Sequence, residues 1–223
     1  MRTRLAALSC LASMGCAAVG QVQRADTLGT GNLEVGFEPG AQVFGGPRGA
    51  APVPALDAAL RIGVSERVDL GLRLGFPWAE VQGKVLLTEP GDPKLAVSIA
   101  PSFGGTAMPT SGAPVTVVHA SLPVLIGFKF GAHELVLGPR LMLYASPSSM
   151  RGEVVVSPGG SLGVALQVTK HFALMPEVAL SAPVFGLGPG GGGLMASQTG
   201  AVSTIAQFRL GLLISRRRSA AAP

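Results

Sequence analysis

LDAALRIGVSERVDLGLRLGF, from Leu56 to Phe76, separates into two faces when read in steps of two. Leu56, Ala58, Leu60, Ile62 and Val64 share one face, with Asp57, Ala59, Arg61 and Gly63 on the other. After Ser65-Glu66, Val68, Leu70, Leu72, Leu74 and Phe76 alternate with Arg67, Asp69, Gly71, Arg73 and Gly75. Successive side chains leave a strand on opposite faces, so strict alternation of this length predicts two strands and a tight turn. One face is wholly apolar and the other is charged and diluted with glycine. That division suits a strand with lipid on one side and a narrow polar interior on the other.

The same alternation recurs along the chain. Leu33, Val35 and Phe37 oppose Glu34 and Glu38, and Pro39 is expected to end this first strand. Val81, Val85 and Leu87 oppose Glu80, Gln82 and Lys84, while Leu95, Val97, Ile99 and Phe103 oppose Ala96, Ser98, Ala100 and Ser102. Val118, Leu122, Val124, Ile126 and Phe128 oppose His119, Ser121 and Lys129; Leu135, Leu137, Leu141 and Leu143 oppose Glu134, Gly138 and Arg140. Leu162 to Val168, Phe172 to Leu180 and Ala206 to Ile214 complete the set, with Glu177 and Arg209 on the polar parity of the last two. This is an all-β chain of about ten strands. Pro101, Pro123, Pro139 and Pro176 fall inside strands, where each removes a ladder hydrogen bond, so bulges are expected there.

The connections add a second regularity. Short turns join strands two and three, four and five, six and seven, and eight and nine. Longer Gly/Pro/Ser loops are expected near 39–54, 105–114, 146–159 and 186–193, and only the Pro77-Trp78 link between strands three and four is unexpectedly brief. Short on one side and long on the other is the asymmetry of periplasmic turns and outer loops.

Composition agrees. Hydrophobic residues make up 48% and charged ones 13%, yet beyond the leader the longest apolar run, Ala120 to Phe128, is far below the ~18 residues of a spanning helix. Residues 1–20 read as an export signal: Arg2 and Arg4, then the apolar stretch Leu5 to Ala18. Both cysteines lie within it, so a disulfide in the mature chain is excluded. Two processing routes fit. Ser13-Met14-Gly15-Cys16 resembles the lipobox of bacterial lipoproteins, with Ser13 where an aliphatic residue usually stands; Cys16 is then the lipid-attachment residue, and this is the leading expectation. The other is ordinary cleavage after Ala18-Val19-Gly20. Residues 21–30 read as a polar tether, 31–215 as the barrel and 216–223 as a basic tail.

With Arg2 and Arg4 removed, fifteen of the 17 basic residues stand against 12 acids, and Arg216, Arg217 and Arg218 equal the excess. No basic face with interleaved aromatics is present, which argues against nucleic acid as a partner.

Taken from about Gly31 to Ser215, the chain resembles the small monomeric bacterial outer-membrane β-barrels, by pattern rather than by a signature motif. The resemblance implies a closed antiparallel up-and-down barrel in the outer membrane, with membrane lipid and the barrel-assembly machinery as partners and no cofactor. Three features depart from it. The aromatic girdles are thin, although Phe37, Phe76, Trp78 and Phe103 fall at outer ends and Phe130 and Phe172 at inner ones. The chain closes on Ser215-Arg-Arg-Arg-Ser-Ala-Ala-Ala-Pro rather than on an aromatic, and prolines interrupt its strands.

Candidate chemistry is sparse. Gly188-Pro189-Gly190-Gly191-Gly192-Gly193 has no following Gly-Lys-Ser/Thr and reads as a flexible loop. His119, His133 and His171 are scattered, without metal-ligand spacing. Ten-stranded membrane proteases place Asp and His at the outer rim. The ionisable rim candidates here, His119, Glu38, Asp57 and Glu80, share no motif, so a non-catalytic barrel is expected. The inward parity holds the acids Glu34, Glu38, Asp57, Asp69, Glu80, Glu134 and Glu177 and the bases Arg61, Arg67, Arg73, Lys84, Lys129, Arg140 and Arg209. Ion pairs filling a narrow lumen are favoured over an open polar pore. Within that lumen Glu34, Glu177 and Arg209 are expected to meet across the closing seam. The rival fold is a soluble periplasmic lipoprotein with a lipocalin-like barrel around an apolar ligand, its parity inverted so that Leu60, Leu72 and Leu210 point inward.

Overall fold

The computed structural model describes residues 20–46, 49–76, 78–108, 115–145, 154–188, 191–194 and 204–216. Over these the chain forms one closed antiparallel sheet. In order come β1 (Leu33–Gly46), β2 (Gly49–Gly63), β3 (Val68–Gly75), β4 (Trp78–Leu86), β5 (Leu95–Ile99), β6 (Ser102–Met108) and β7 (Val115–Phe130). There follow β8 (His133–Leu137), β9 (Arg140–Ala145), β10 (Val154–Gln167), β11 (Phe172–Ser181), β12 (Phe185–Gly188), β13 (Gly191–Leu194) and β14 (Thr204–Arg216). β5 with β6, and β8 with β9, each make one broken stave, so the wall is a barrel of ten staves. β12 and β13 form a small hairpin on the end of β10. β14 closes the ring between β1 and β11, with Leu33 opposite Arg216 and Phe172 opposite Ile214. Among the described residues no helix is long and apolar enough to cross a membrane.

The parity read from the sequence orients the wall. Leu72 is 41% exposed on the exterior and Arg73 fully buried in the lumen; Leu210 lies outside and Arg209 inside. This rules out the lipocalin-like alternative, which needs the reverse. An aliphatic exterior around a closed hydrogen-bonded wall satisfies both demands of lipid: apolar contact and no unpaired backbone edge.

Three expectations of detail are corrected. Pro39 does not end the first strand; β1 continues to Gly46 and β2 starts at Gly49, so most of the loop expected between them is paired strand. β6, β10, β12 and β13 likewise reach into the other expected loops, and strands of 14 to 16 residues such as β10 and β7 exceed the 9–11 that cross a bilayer. The strand prolines produce no bulges. Pro101 and Pro139 interrupt the strands, but the register is identical on both sides of each break. Ala100 N–H still donates to the Pro123 carbonyl (3.0 Å), and Val124 N–H to that of Pro139 (2.9 Å). Each proline therefore loses one bond of a reciprocal pair and keeps the other, which a wall can absorb without slipping. Trp78 is not a girdle residue: it is buried in the lumen, with the Arg73 guanidinium 5.3 Å over its ring.

The largest difference is at the amino-terminal end. Residues 21–30, expected to be a tether, enter the lumen. They pass the turn end of the barrel beside Glu66, then climb inside it, and Gln21, Val22, Gln23 and Ala25 are as buried as core residues. At the entrance Thr30 donates to Glu66 Oε1 through its N–H (3.1 Å) and its Oγ1 (2.8 Å). The hydroxyl and then the amide of Thr30 hold the Glu66 carboxyl below its usual range. A lowered folded-state pKa gives stabilisation present above the ordinary carboxyl value and lost as pH falls through the lowered one. Amide exchange at Thr30 is expected to quicken across that acidic interval, relative to an internal strand amide, and not near neutrality.

Candidate functional site: the barrel lumen

Inward side chains of β14, β1, β2, β3 and β4 make a charged wall. Its centre is Glu38 and Asp57, both buried and directly opposite each other on β1 and β2. Arg209 Nη1 lies 3.1 Å from Glu38 Oε2 and also pairs with Asp57. Arg73 Nη2 bridges the same two carboxylates, at 3.3 Å from Asp57. Arg61 Nη2 stands 3.6 Å from Glu38, and its Nη1 donates to Glu34 at 2.7 Å. Lys84 pairs with Asp69 at 2.9 Å nearer the turn end. Three guanidiniums around two carboxylates leave one positive charge in excess, which Glu34 on Arg61 balances.

The expected trio does not assemble. Glu34, Glu177 and Arg209 lie on neighbouring strands, but the closing register places Glu34 opposite Ser215, and Gly40 opposite Arg209. Glu34 therefore accepts from Ser215 Oγ (3.0 Å) and from Arg61, while Arg209 reaches Glu38 and Asp57. A Cβ at Gly40 would run into the Phe208 carbonyl and the Arg209 side chain, so glycine is what lets β1 approach β14 at this point. Glu177 sits opposite Arg209 across β11 and β14 without pairing to it, and its Oε1 has no hydrogen-bond partner among the described residues. Arg140 donates to Ser161 Oγ at 2.8 Å. Arg67 is not a lumen residue: it lies at the turn end, half exposed, paired with Glu89. Cys16 lies outside the described residues.

The rest of the lumen, from β5 to β11 with the ends of β4 and β14, is lined with apolar side chains that the sequence reading did not assign to the interior. Leu86, Leu125, Val136, Met175 and Leu213 pack around Val22 and Ala25, while Met142, Tyr144, Val155 and Ile205 form a second cluster toward the loop end. Here the signal was present but weak. Small and medium apolar residues on the inward parity look like interruptions of the alternation rather than like a second core.

The amino-terminal segment joins the two walls. Arg73 Nη1 donates to Gly20 O (2.7 Å) and Arg61 Nη2 to Val22 O (2.6 Å). Lys84 Nζ reaches Asp26 O (2.6 Å), Ala25 N–H donates to Glu134 Oε1 (3.0 Å), and Lys129 pairs with Asp26 (2.5 Å). The wall thins where the segment passes: a Cβ at Gly211 would meet Val22, and one at Gly127 would meet Ala25. Toward the loop end His119 Nε2 and Glu80 Oε2 are 2.9 Å apart, Gln82 donates to Glu80, and Trp78 and Tyr144 flank the imidazole. Of the rim candidates, then, His119 and Glu80 form a pair, whereas Glu38 through Oε2 and Asp57 through Oδ2 are held by guanidinium groups. Among the described residues no three His, Cys, Asp or Glu side chains gather as a cation site.

No family model matches the chain. No curated protein matches it either. Among solved structures it is similar in fold to the outer-membrane protease OmpT from Escherichia coli, at 6% identity and TM-score 0.42, covering 89% of this chain and 100% of that one. It is similar also to Neisserial surface protein A (10%, TM-score 0.34, 82% and 98%) and to the translocator domain of the autotransporter NalP from Neisseria meningitidis (11%, TM-score 0.37, 96% and 95%).

Proposed function

We propose that the chain is an outer-membrane β-barrel of structural or restricted-conduit type, non-catalytic and monomeric, whose lumen is closed by paired charges and by its own amino-terminal segment. The observation that carries this reading is the convergence of Arg61, Arg73 and Lys84 on both the wall carboxylates and the backbone carbonyls of residues 20–26. A side-chain lining alone would leave the turn end open; the strap of backbone fills it. Glu38 and Asp57, engaged by three guanidiniums, are poorly placed to act as bases, which supports the absence of catalysis.

The exterior tests the membrane half of the reading. Leu72, outward and midway along β3, is replaced by arginine. At the lipid midplane that change is expected to cost about 2–4 kcal/mol, measured by denaturant unfolding in bilayers. On a barrel surrounded by water the same surface change would stay within about 0.5 kcal/mol. The smaller value would sink the membrane assignment.

A further inference from the structure

Glu177 is the anomaly of the lumen. It is buried on β11, its Oε1 has no hydrogen-bond partner, and among the described residues no cation stands within ion-pair distance of it: Arg140, whose charge acts on it most, donates to Ser161 Oγ, Arg209 serves Glu38 and Asp57, and Arg73 the same pair and Gly20 O. A buried carboxylate without a close counter-ion is costly. What faces it is backbone. A Cβ on Gly20 would run into the Glu177 carboxyl oxygen, and the Gln21 amide approaches that carboxylate. The Gly20–Gln21 peptide bond thus lies against a buried lumen acid that has no ion-pair partner among the described residues. It is also the bond that Ala18-Val19-Gly20, with small residues at the first and third positions before it, offers to a leader peptidase.

We propose that the mature chain begins at Gln21, and that its new α-ammonium group is the counter-ion of Glu177. Water cleaves the Gly20–Gln21 amide: the carboxylate departs with the leader on Gly20, and the amine, protonated, stays on Gln21. Because the bond is buried in the closed barrel, cleavage precedes closure, and the ammonium is carried into the lumen as the wall forms around it. Val22 and Ala25 then seat against Gly211 and Gly127, and Arg73 is released from Gly20 O to serve Glu38 and Asp57 alone.

The same geometry bears on Cys16. Three residues separate it from Gly20, four steps of chain with a reach of about 14 Å at most. Gly20 is held between Arg73 and Gln207. Arg73 stands five residues up β3 from Val68, roughly 13 Å above the turn end for a strand tilted by about 40°. An acyl chain on Cys16 would have to descend past residues 20–26, clear the rim and turn out beneath the wall into lipid. That reach covers the descent with almost nothing over for the turn beneath the rim, so a filled lumen disfavours acylation of Cys16.

This inference rests on the filled-lumen reading, and the experiment keeps the two apart. The protein is purified from outer membranes; its intact mass and amino-terminal sequence are determined, and an amine-reactive acylating reagent is applied near neutral pH, where the α-amine reacts ahead of lysine. The expected result is an unmodified chain starting at Gln21 whose α-amine is labelled at least about tenfold more slowly in the folded barrel than after unfolding in urea. Glu177→Gln, close in shape, is expected to abolish most of that protection and leave the start site unchanged. A lipid-modified amino terminus at Cys16, a pyroglutamyl end lacking the charge, or an α-amine equally reactive in both states would each overturn the proposal. So would a Glu177→Gln barrel with wild-type protection. None of these outcomes bears on whether the lumen conducts, which ionic current measures separately.

Discussion

Arg209→Ala is expected to lower the stability of the folded barrel by about 3–5 kcal/mol, against about 0–1 kcal/mol for Arg67→Ala. Both changes remove one guanidinium paired with carboxylate. The difference lies in what is left behind. Arg67 and Glu89 stand at the turn end with their side chains 44% and 82% exposed, and water takes over the solvation of the remaining acid. Arg209 and its partners Glu38 and Asp57 are fully buried, so truncation leaves two facing carboxylates with only Arg73 bridging them and Arg61 at 3.6 Å. Urea-induced unfolding in lipid vesicles, followed by the loss of heat-modifiable mobility on gels, gives both values on one scale. Arg209→Lys is informative beside it: a single ammonium on a flexible stem cannot bridge Glu38 and Asp57 as a fork does, so partial loss is expected. Equal costs for Arg209→Ala and Arg67→Ala would show that the central cluster is not a closed ion network.

The second large effect is on conductance. In planar bilayers the wild type is expected to give little steady current, and deletion of residues 21–26 to produce stable, discrete channel openings. Barrels of eight strands are filled by their side chains and those of sixteen leave a channel, so ten lies where a single inserted strand decides the outcome. Without the segment, Arg61 and Lys84 lose their carbonyl partners and Glu134 loses the Ala25 amide, leaving a hydrated, charged passage along β1 to β4. Val22→Glu is a milder probe, because it introduces an acid against Leu213 and Met175 without shortening the chain. A silent deletion variant, still folded by gel mobility, would mean that side chains alone close the barrel and that the segment is incidental to it. A large steady current from the wild type would overturn the filled lumen altogether.

What the sequence by itself determined is which way each side chain points. The alternation in Leu56–Phe76, and its echoes as far as Ile214, is a local property: the pleat sends neighbours to opposite faces whatever the strand is paired with, and a slip of one residue would put every leucine of the exterior into the lumen. Hence Arg61, Arg73, Lys84, Arg140, Glu34, Glu177 and Arg209 could be assigned to one side before any pairing was known. Only the tertiary structure decided which of them meet. That depends on register between strands and on the stagger that closes the ring, neither of which leaves a trace in a single strand's pattern. The seam register set Glu34 beside Ser215 and Arg61, and gave Arg209 to Glu38 and Asp57 instead. It decided equally that Leu86, Leu125 and Met175 form an inner apolar wall, since a lumen residue is apolar or polar according to what faces it across the barrel. Residues 20–26 were the least legible for the same reason. They are too short and too polar to alternate, and the cavity that binds them exists only once ten staves have closed around it.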